Sequence, residues 1–280
     1  MRLASEALKL DSPLTSTRLK RFISDYLQKT KAKGIVLALS GGIDSATIAA
    51  LSTLAIGGSK VLALYLPEKE TYNEADPKHV RALAKKFGFN LKTIDITSIL
   101  QTYYKAIPDF DPKDRVSKGN IKARARMICV YYHANNQNRV VVGPSDKSET
   151  MMGYFTKWGD VAADISPLMD LYKTQVRQLA AHIGVPKEIV DKPSTPQLWP
   201  GQIAEEELGI KYETLDLILL GFENFMTPEE IAKQLNLNLK LVQDVKTRWL
   251  LMEHKRRAPL TMKMEYRTVG ADFRLPYSPP

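Results

Sequence analysis

The sequence predicts an α/β protein in which a parallel sheet is flanked by helices. Three observations carry that expectation. Short apolar runs of strand length recur through the first half of the chain, segments with helical spacing alternate with them, and glycines stand at many of the junctions. Unbroken apolar strands are those buried on both faces, as in a parallel sheet covered by crossover helices.

The elements follow in order. Over residues 13–33, Leu19, Phe22, Ile23, Tyr26 and Leu27 recur at three- and four-residue intervals, the period of a helix with one buried side, and Gly34 is a natural stop. Ile35 to Ser40 (IVLALS) reads as a strand closed by Gly41-Gly42. Ala46 to Ile56 is a helix ending at Gly57-Gly58, Lys60 to Leu66 a second strand, and Pro77 to Phe87 a helix stopped by Gly88. Asn90 to Ile96 is a third strand, Ser117 to Ala134 a long helix, and Arg139 to Gly143 the fourth strand. The pattern then changes. A short helix is expected over Asp146 to Gly153 and an amphipathic one over Tyr172 to Ile183. Residues 185–210, with Pro186, Pro193, Pro196 and Pro200, read as loop, and three helices follow near 211–220, 228–235 and 239–254. No repeat or linker divides the chain, so one domain over 1–280 is expected, with a C-terminal helical part at about 211–260 and a frayed tail, RLPYSPP.

Composition narrows the class. With 280 residues, 44% hydrophobic and 25% charged, the chain can bury a core without staples. The one cysteine, Cys129, excludes an intramolecular disulfide framework and a cysteine zinc cluster, and suits a reducing compartment such as the cytoplasm. Glu6 and Lys9 interrupt the start, so no signal peptide is expected, and no run approaches the ~20 apolar residues that cross a bilayer. Lys plus Arg total 40 against 31 Asp plus Glu, a formal charge of +9 that attracts phosphates, nucleotides or nucleic acid.

The most informative segment is LALSGGIDSATIAAL, residues 37–51. A strand ends at Ser40, the chain turns through two glycines, and a helix is expected to begin near Ser45. The first amides of a helix lack partners and carry the positive end of its dipole, and glycines let an anion approach. Ser40 and Ser45 add hydroxyls. A plain tight turn capped by Ser45 would use the same residues. Asp44 favours a ligand, because a carboxylate in a phosphate cradle calls for a cation between the two, and magnesium binds in that manner, although capping alone also accounts for an Asp here. Neither G-x-x-x-x-G-K-[ST] nor a G-x-G-x-x-G after a strand is present, so a ligand here is expected to be held differently from P-loop and dinucleotide folds.

SGGIDS after an apolar strand resembles the pyrophosphate loop of the N-type ATP pyrophosphatases, which implies an adenine-nucleotide α-hydrolase-like fold. KGNIKARARM (118–127), SDKSETMMGYFTKWGDVAADISPLMDLYKTQV (145–176), KPSTPQLWPGQIAEEELG (192–209) and MEHKRRAP (252–259) resemble the ammonia-dependent NAD synthetases in order and spacing. That resemblance implies ATP at Ser40, Gly41, Gly42, Ile43, Asp44, Ser45, Lys173 and Thr195, and magnesium on Asp44 and Glu149. It places deamido-NAD, the nicotinate dinucleotide, on Arg124, Lys157, Asp164, His254 and Lys255, with Asp44 and Lys173 as the catalytic pair.

Each segment also has a plainer reading. Lys122 and Arg126 lie one helical turn apart with Arg124 on another face, as in a solvated basic helix. Tyr154, Phe155 and Trp158 beside Lys157, Asp160 and Asp164 fit a ring-stacking pocket or a packed core. Lys173 fits an exposed first-turn lysine, and Lys255, Arg256 and Arg257 a cation cluster at a helix end. The chain departs from the family in two places: Pro144 stands where a threonine is usual, and Thr195-Pro196-Gln197-Leu198 where Ser/Thr-Ala-Asp-Leu is usual.

The resemblance implies amidation in two steps, an adenylate formed with release of pyrophosphate and then displacement of AMP by ammonia. No segment offers a glutaminase nucleophile, so ammonia itself is the expected nitrogen source, and a homodimer is the expected assembly. The alternative is a tRNA-modifying ATP pyrophosphatase. TPEEIAKQLNLNLKLVQDVKTRW (227–249) has a helix-turn-helix pattern, although a nucleic-acid partner is the less favoured reading.

Overall fold

The computed structural model describes residues 2–269 together with Asp272 and Phe273, so the expected fraying of 274–280 lies outside the described residues. The strands are β1 (Gly34–Ala38), β2 (Val61–Tyr65), β3 (Asn90–Thr93) and β4 (Arg139–Val141). They form one parallel sheet in the order β3-β2-β1-β4, with Ile35 opposite both Val61 and Val140. The chain winds from β1 outward through β2 to β3, then returns to the other side of β1. The strand order therefore reverses between β1 and β4, and open α/β sheets form their ligand crevice beyond the carboxyl ends at such a point.

Alternate side chains of β1 feed two cores. Ile35 and Leu37 pack with Ile23, Leu27, Ile48, Leu51, Val176 and Leu179, under α1 (Ser12–Thr30), α2 (Ile43–Ile56) and, further along the chain, Lys173–His182. Val36 packs on the opposite face with Leu62, Leu64, Leu100 and Val130. That face is covered by α4 (Thr97–Ala106) and α5 (Arg115–Gln137), while α3 (Asp76–Phe87) joins β2 to β3. Next come α6 (Lys147–Met152), α7 (Lys173–His182), α8 (Lys187–Val190) and α9 (Ala204–Leu208). The last helices are α10 (Tyr212–Glu223), α11 (Pro228–Leu235), α12 (Leu239–Leu251) and α13 (Glu253–Arg256). Leu215, Ile218, Leu219, Ile231, Val242 and Val245 give the C-terminal helices their own core, and α10 rests on α6 and α7.

The parallel sheet and its helices match the expectation, with four corrections. The third strand stops at Thr93 and is mostly exposed, because it is the sheet edge. Asp95 then accepts from Thr97 N at 2.7 Å and starts α4, a helix the sequence reading missed by running the strand on to Ile96. The 185–210 stretch contains α8 and α9, α8 beginning directly after Pro186 where a missing N–H costs nothing. Finally, α2 begins at Ile43 with Gly42 as its N-cap, so Ser45 is not the cap.

The basic run of α5 is not uniformly solvated. Arg124 is exposed, but Lys122 is fully buried and paired with Glu68 Oε1 at 2.7 Å and Glu70 Oε2 at 2.8 Å. Glu68 is itself buried; desolvation raises its pKa, and the hydrogen bonds from Lys122, Thr71 and the Glu70 amide outweigh it and set the pKa below the usual glutamate value. The stabilisation is thus present above the unfolded-state pKa and is lost as pH falls through the lower folded value. Lys122→Met leaves a buried carboxylate unpaired and is expected to cost about 3–5 kcal/mol in urea unfolding at neutral pH. The gap to wild type should narrow as pH falls into the acid range, as Glu68 takes up a proton.

Candidate active site

The turn after β1 is shaped by its own hydroxyls. Ser45 Oγ donates to Gly42 O at 3.1 Å and accepts from Ser40 N at 3.2 Å, while Ser40 Oγ accepts from Gly42 N at 3.2 Å. Gly41 adopts φ +83, and a Cβ there would lie 3.2 Å from Asp76 Oδ1. The turn delivers the first amides of α2, orphaned as in any helix, to the carboxyl edge of the sheet.

Beside it lies a buried cation. Lys173, the first residue of α7, is fully buried, and its Nζ stands 2.7 Å from Asp44 Oδ2, 2.7 Å from Asp146 Oδ2 and 2.8 Å from Glu149 Oε1. The reading of Lys173 as an exposed lysine is therefore overturned. Burial works against its charge, but the three carboxylates outweigh burial and hold its pKa well above the ordinary lysine value. Burial pushes Asp146 up to about 6 and Glu149 well above the ordinary glutamate value, with the neighbouring carboxylates adding to the rise and Lys173 opposing it.

The supports reach the C-terminal layer. Asp216 of α10, fully buried, accepts from Ser148 Oγ at 2.6 Å and from Thr174 N at 2.9 Å. Ser148 Oγ in turn accepts from Lys173 N at 2.9 Å. One carboxylate on α10 thus fixes α6 and the first turn of α7 relative to each other. Asp146 caps α6 by accepting from Glu149 N at 2.8 Å, which turns both acids towards Lys173.

A cavity of about 680 Å³ opens in front of this cluster. Ser40, Gly42, Ile43, Asp44, Ser45, Glu149 and Thr195 line it, as do Pro144 and Ser145 at the first departure from the family pattern. Gln197, at the second, donates to Asp76 Oδ2 at 2.6 Å, and Lys192 pairs with Asp76 Oδ1, so the proline-rich segment is tied down next to Gly41. Of the residues expected at the dinucleotide, Lys255 lines the cavity, its Nζ donating to Gly153 O at 2.6 Å and lying 4.8 Å from the Phe155 ring centroid. Arg124, Lys157 and His254 form a chain outside that lining: Arg124 Nη2 donates to Lys157 O at 3.1 Å, and Lys157 Nζ to His254 O at 2.7 Å. Asp164 is held apart from them, accepting from Val141 N at 2.7 Å. Tyr154 and Phe155 face the cavity, whereas Trp158 is half exposed.

Sequence reasoning missed Asp146, Asp76, Asp216 and Arg126, which lines the cavity and donates to Leu66 O at 3.3 Å. Asp146 carried a readable signal, since an acid three residues before Glu149 at a helix start has capping-box spacing. Asp216 carried none, being an isolated acid in an apolar helix. The Asp44, Asp146 and Glu149 ligand atoms lie within 4.8 Å of one another, and Asp44 Oδ1 and Asp146 Oδ2 are buried without hydrogen-bond partners, the latter meeting the ammonium off its hydrogen-bonding directions. A purely oxygen donor set of this kind fits magnesium.

A family model described as NAD synthase matches residues 15–259. The NH(3)-dependent NAD(+) synthetase of Hyperthermus butylicus is 44% identical over 256 residues, covering 91% of this chain and 92% of that protein. Its namesake from Methanocaldococcus jannaschii is 46% identical over 248 residues, covering 87% and 94%. Among solved structures, the NMN synthetase of Francisella tularensis superposes with a TM-score of 0.80 at 33% identity, covering 91% of this chain and 99% of that one. The NH3-dependent NAD synthetase of Campylobacter jejuni gives 0.77 at 28%, covering 91% and 100%.

The turn geometry makes a prediction of its own. Gly41→Ala forces a side chain into left-handed backbone against Asp76, and should lower stability by about 1–2 kcal/mol in thermal or urea unfolding.

Proposed function

The chain belongs to the NAD synthase family, and from that premise we propose how its cleft performs the reaction. The enzyme amidates deamido-NAD with ammonia at the expense of ATP, giving NAD, AMP and pyrophosphate. A nicotinate carboxylate oxygen bonds to the α-phosphorus of ATP as pyrophosphate leaves. Ammonia then adds to the activated carbonyl carbon, and AMP departs with the oxygen.

Both partners of the first step are anionic, so the protein's task is to hold them together and neutralise the charge that gathers on the phosphates. The observation that carries this reading is the Lys173–Asp44–Asp146–Glu149 cluster set against the glycine turn at the mouth of the cavity. In our reading the amides that open α2, from Ile43 onward, with Gly41 and the Ser40 hydroxyl, receive the phosphates, Gly42 and Ser45 shape the turn that presents them, and Thr195 adds a hydroxyl from the proline-rich segment. Asp44 and Glu149, with Asp146 behind them, would hold magnesium, which when bound supplies the positive charge between carboxylates and phosphates. Lys173 adds a second cation. Lys255 and the linked Arg124, Lys157 and His254 would receive deamido-NAD, and the tether of Asp164 to β4 sets that carboxylate at the edge of the same region.

Three further parts belong to the proposal. A homodimer is supported by the side of α5 that carries Arg124, which also exposes Ile128 and Tyr132 at one-turn spacing, 50% and 63% accessible. Ammonia is taken up as such, since Cys129 is half buried within α5, with burial raising its pKa. The cytoplasm suits a lone unpaired thiol, and among the described residues no helix is long and apolar enough to cross a membrane. The tRNA-modifying alternative is not favoured: α11 and α12 do form a helix pair, but the matching family model and relatives are NAD synthases.

The test is product analysis with ATP, magnesium, ammonium and either deamido-NAD or nicotinate mononucleotide, the second acceptor included because one structural neighbour is named for NMN. AMP, pyrophosphate and NAD from the dinucleotide are expected; ADP would contradict the reading. Asp44→Asn should lower turnover by about a hundred- to a thousandfold. Its melting temperature should stay near that of wild type, because Lys173 keeps Asp146 and Glu149 as partners. Residues 193–209, which we read as a lid, should resist proteolytic nicking when ATP and deamido-NAD are both present, and unchanged cleavage would refute that role.

A further inference from the structure

The Lys173 ammonium is equidistant, within 0.1 Å, from one oxygen of each of the three carboxylates, at 2.7, 2.7 and 2.8 Å. That is the place a divalent ion would take if it accepted the same three oxygens. Asp44 and Glu149 line the cavity whereas Lys173 does not, so the ammonium stands behind the acids. A phosphate entering this arrangement meets carboxylates first, and a metal ion entering alone meets an ammonium already in its seat. Neither approach is favourable by itself. The backbone of Lys173 is pinned by Ser148, but its four-carbon stem is a flexible tether. Asp146 Oδ2 is ion-paired with the ammonium at 2.7 Å but has no hydrogen-bond donor, so one oxygen of the seat is free to take a different cation, and the Tyr212 ring lies 5.3 Å from Nζ.

We infer that Lys173 is a tethered stand-in for the metal: without nucleotide its ammonium fills the seat among Asp44, Asp146 and Glu149, and a divalent ion enters only as the triphosphate draws that ammonium forward onto its own oxygens. Metal and nucleotide therefore bind together, and the empty enzyme spends no affinity on free metal. The inference rests on the ATP–magnesium reading of the cleft and adds to it an order of binding.

The probe is Mn2+, followed through the electron paramagnetic resonance signal of the free hydrated ion. Wild type without nucleotide should leave that signal nearly unchanged, whereas Lys173→Met should bind one Mn2+ per chain at least roughly tenfold more tightly. Glu149→Gln in the Lys173→Met background should abolish the gain. Equal affinity of wild type and Lys173→Met, or no Mn2+ binding by a folded Lys173→Met, overturns the inference. Wild-type crystals provide a test that needs no variant. Soaked in Mn2+ alone they should show no anomalous peak at the cluster; soaked in Mn2+ with a non-hydrolysable ATP analogue they should show a peak, with Lys173 Nζ withdrawn from Asp146. A peak beside an unmoved Lys173 in either soak overturns the exchange. Release of pyrophosphate by the same wild-type preparation keeps the two readings apart: turnover with an unmoved lysine removes only the exchange, while no turnover removes the reading beneath it.

Discussion

One ammonium without access to water holds the functional end of this molecule together. Removing a lysine from solvent is costly, and only several anions at contact distance offset it. Lys173 has three, drawn from the helix after β1 and from the cap and first turn of the helix after β4. The interaction defines which elements must meet rather than how strongly they adhere. If α2, α6 or α7 were displaced by a helical turn, a buried charge would be left without its partner.

The sheet makes that meeting possible. Parallel strands bring their carboxyl ends to one edge, and the reversal of strand order between β1 and β4 parts the chain there. The glycine turn and Asp44 leave β1 on one bank, and Asp146 and Glu149 leave β4 on the other. The cavity opens in front of them and is lined also by the proline-rich segment that Asp76 ties down through Lys192 and Gln197.

Much of this was legible in the residues. The strands of the sheet interior announced themselves through unbroken apolar runs, and the glycine turn through its position between a strand and a helix. What failed to show was of two kinds. The edge strand β3 passes into α4 at Ile96, a residue that extends the strand's alternation with Ile94 and also opens the helical spacing Ile96, Leu100, Tyr103, Tyr104, so the boundary did not show. Pairing across the chain was invisible as well. Lys122 and Lys173 read as surface lysines because nothing near them in sequence signals burial; Glu68 lies 54 residues from Lys122, and Asp44 lies 129 from Lys173. Motif resemblance identified Lys173 and Glu149 as site residues, but Asp146 and Asp216 act through distances that only folding creates.

The bond network of Asp216 makes the C-terminal layer part of the cleft's thermodynamics. A single carboxylate on α10 fastens both the helix that bears Glu149 and the one that bears Lys173. Such a joint carries free energy in both directions. A nucleotide that binds the fastened arrangement better slows amide exchange in α10, which does not line the cavity, and loosening that helix raises the dissociation constant by the same factor. The terminal bundle is thus a flywheel on the binding equilibrium rather than an ornament bolted to the sheet.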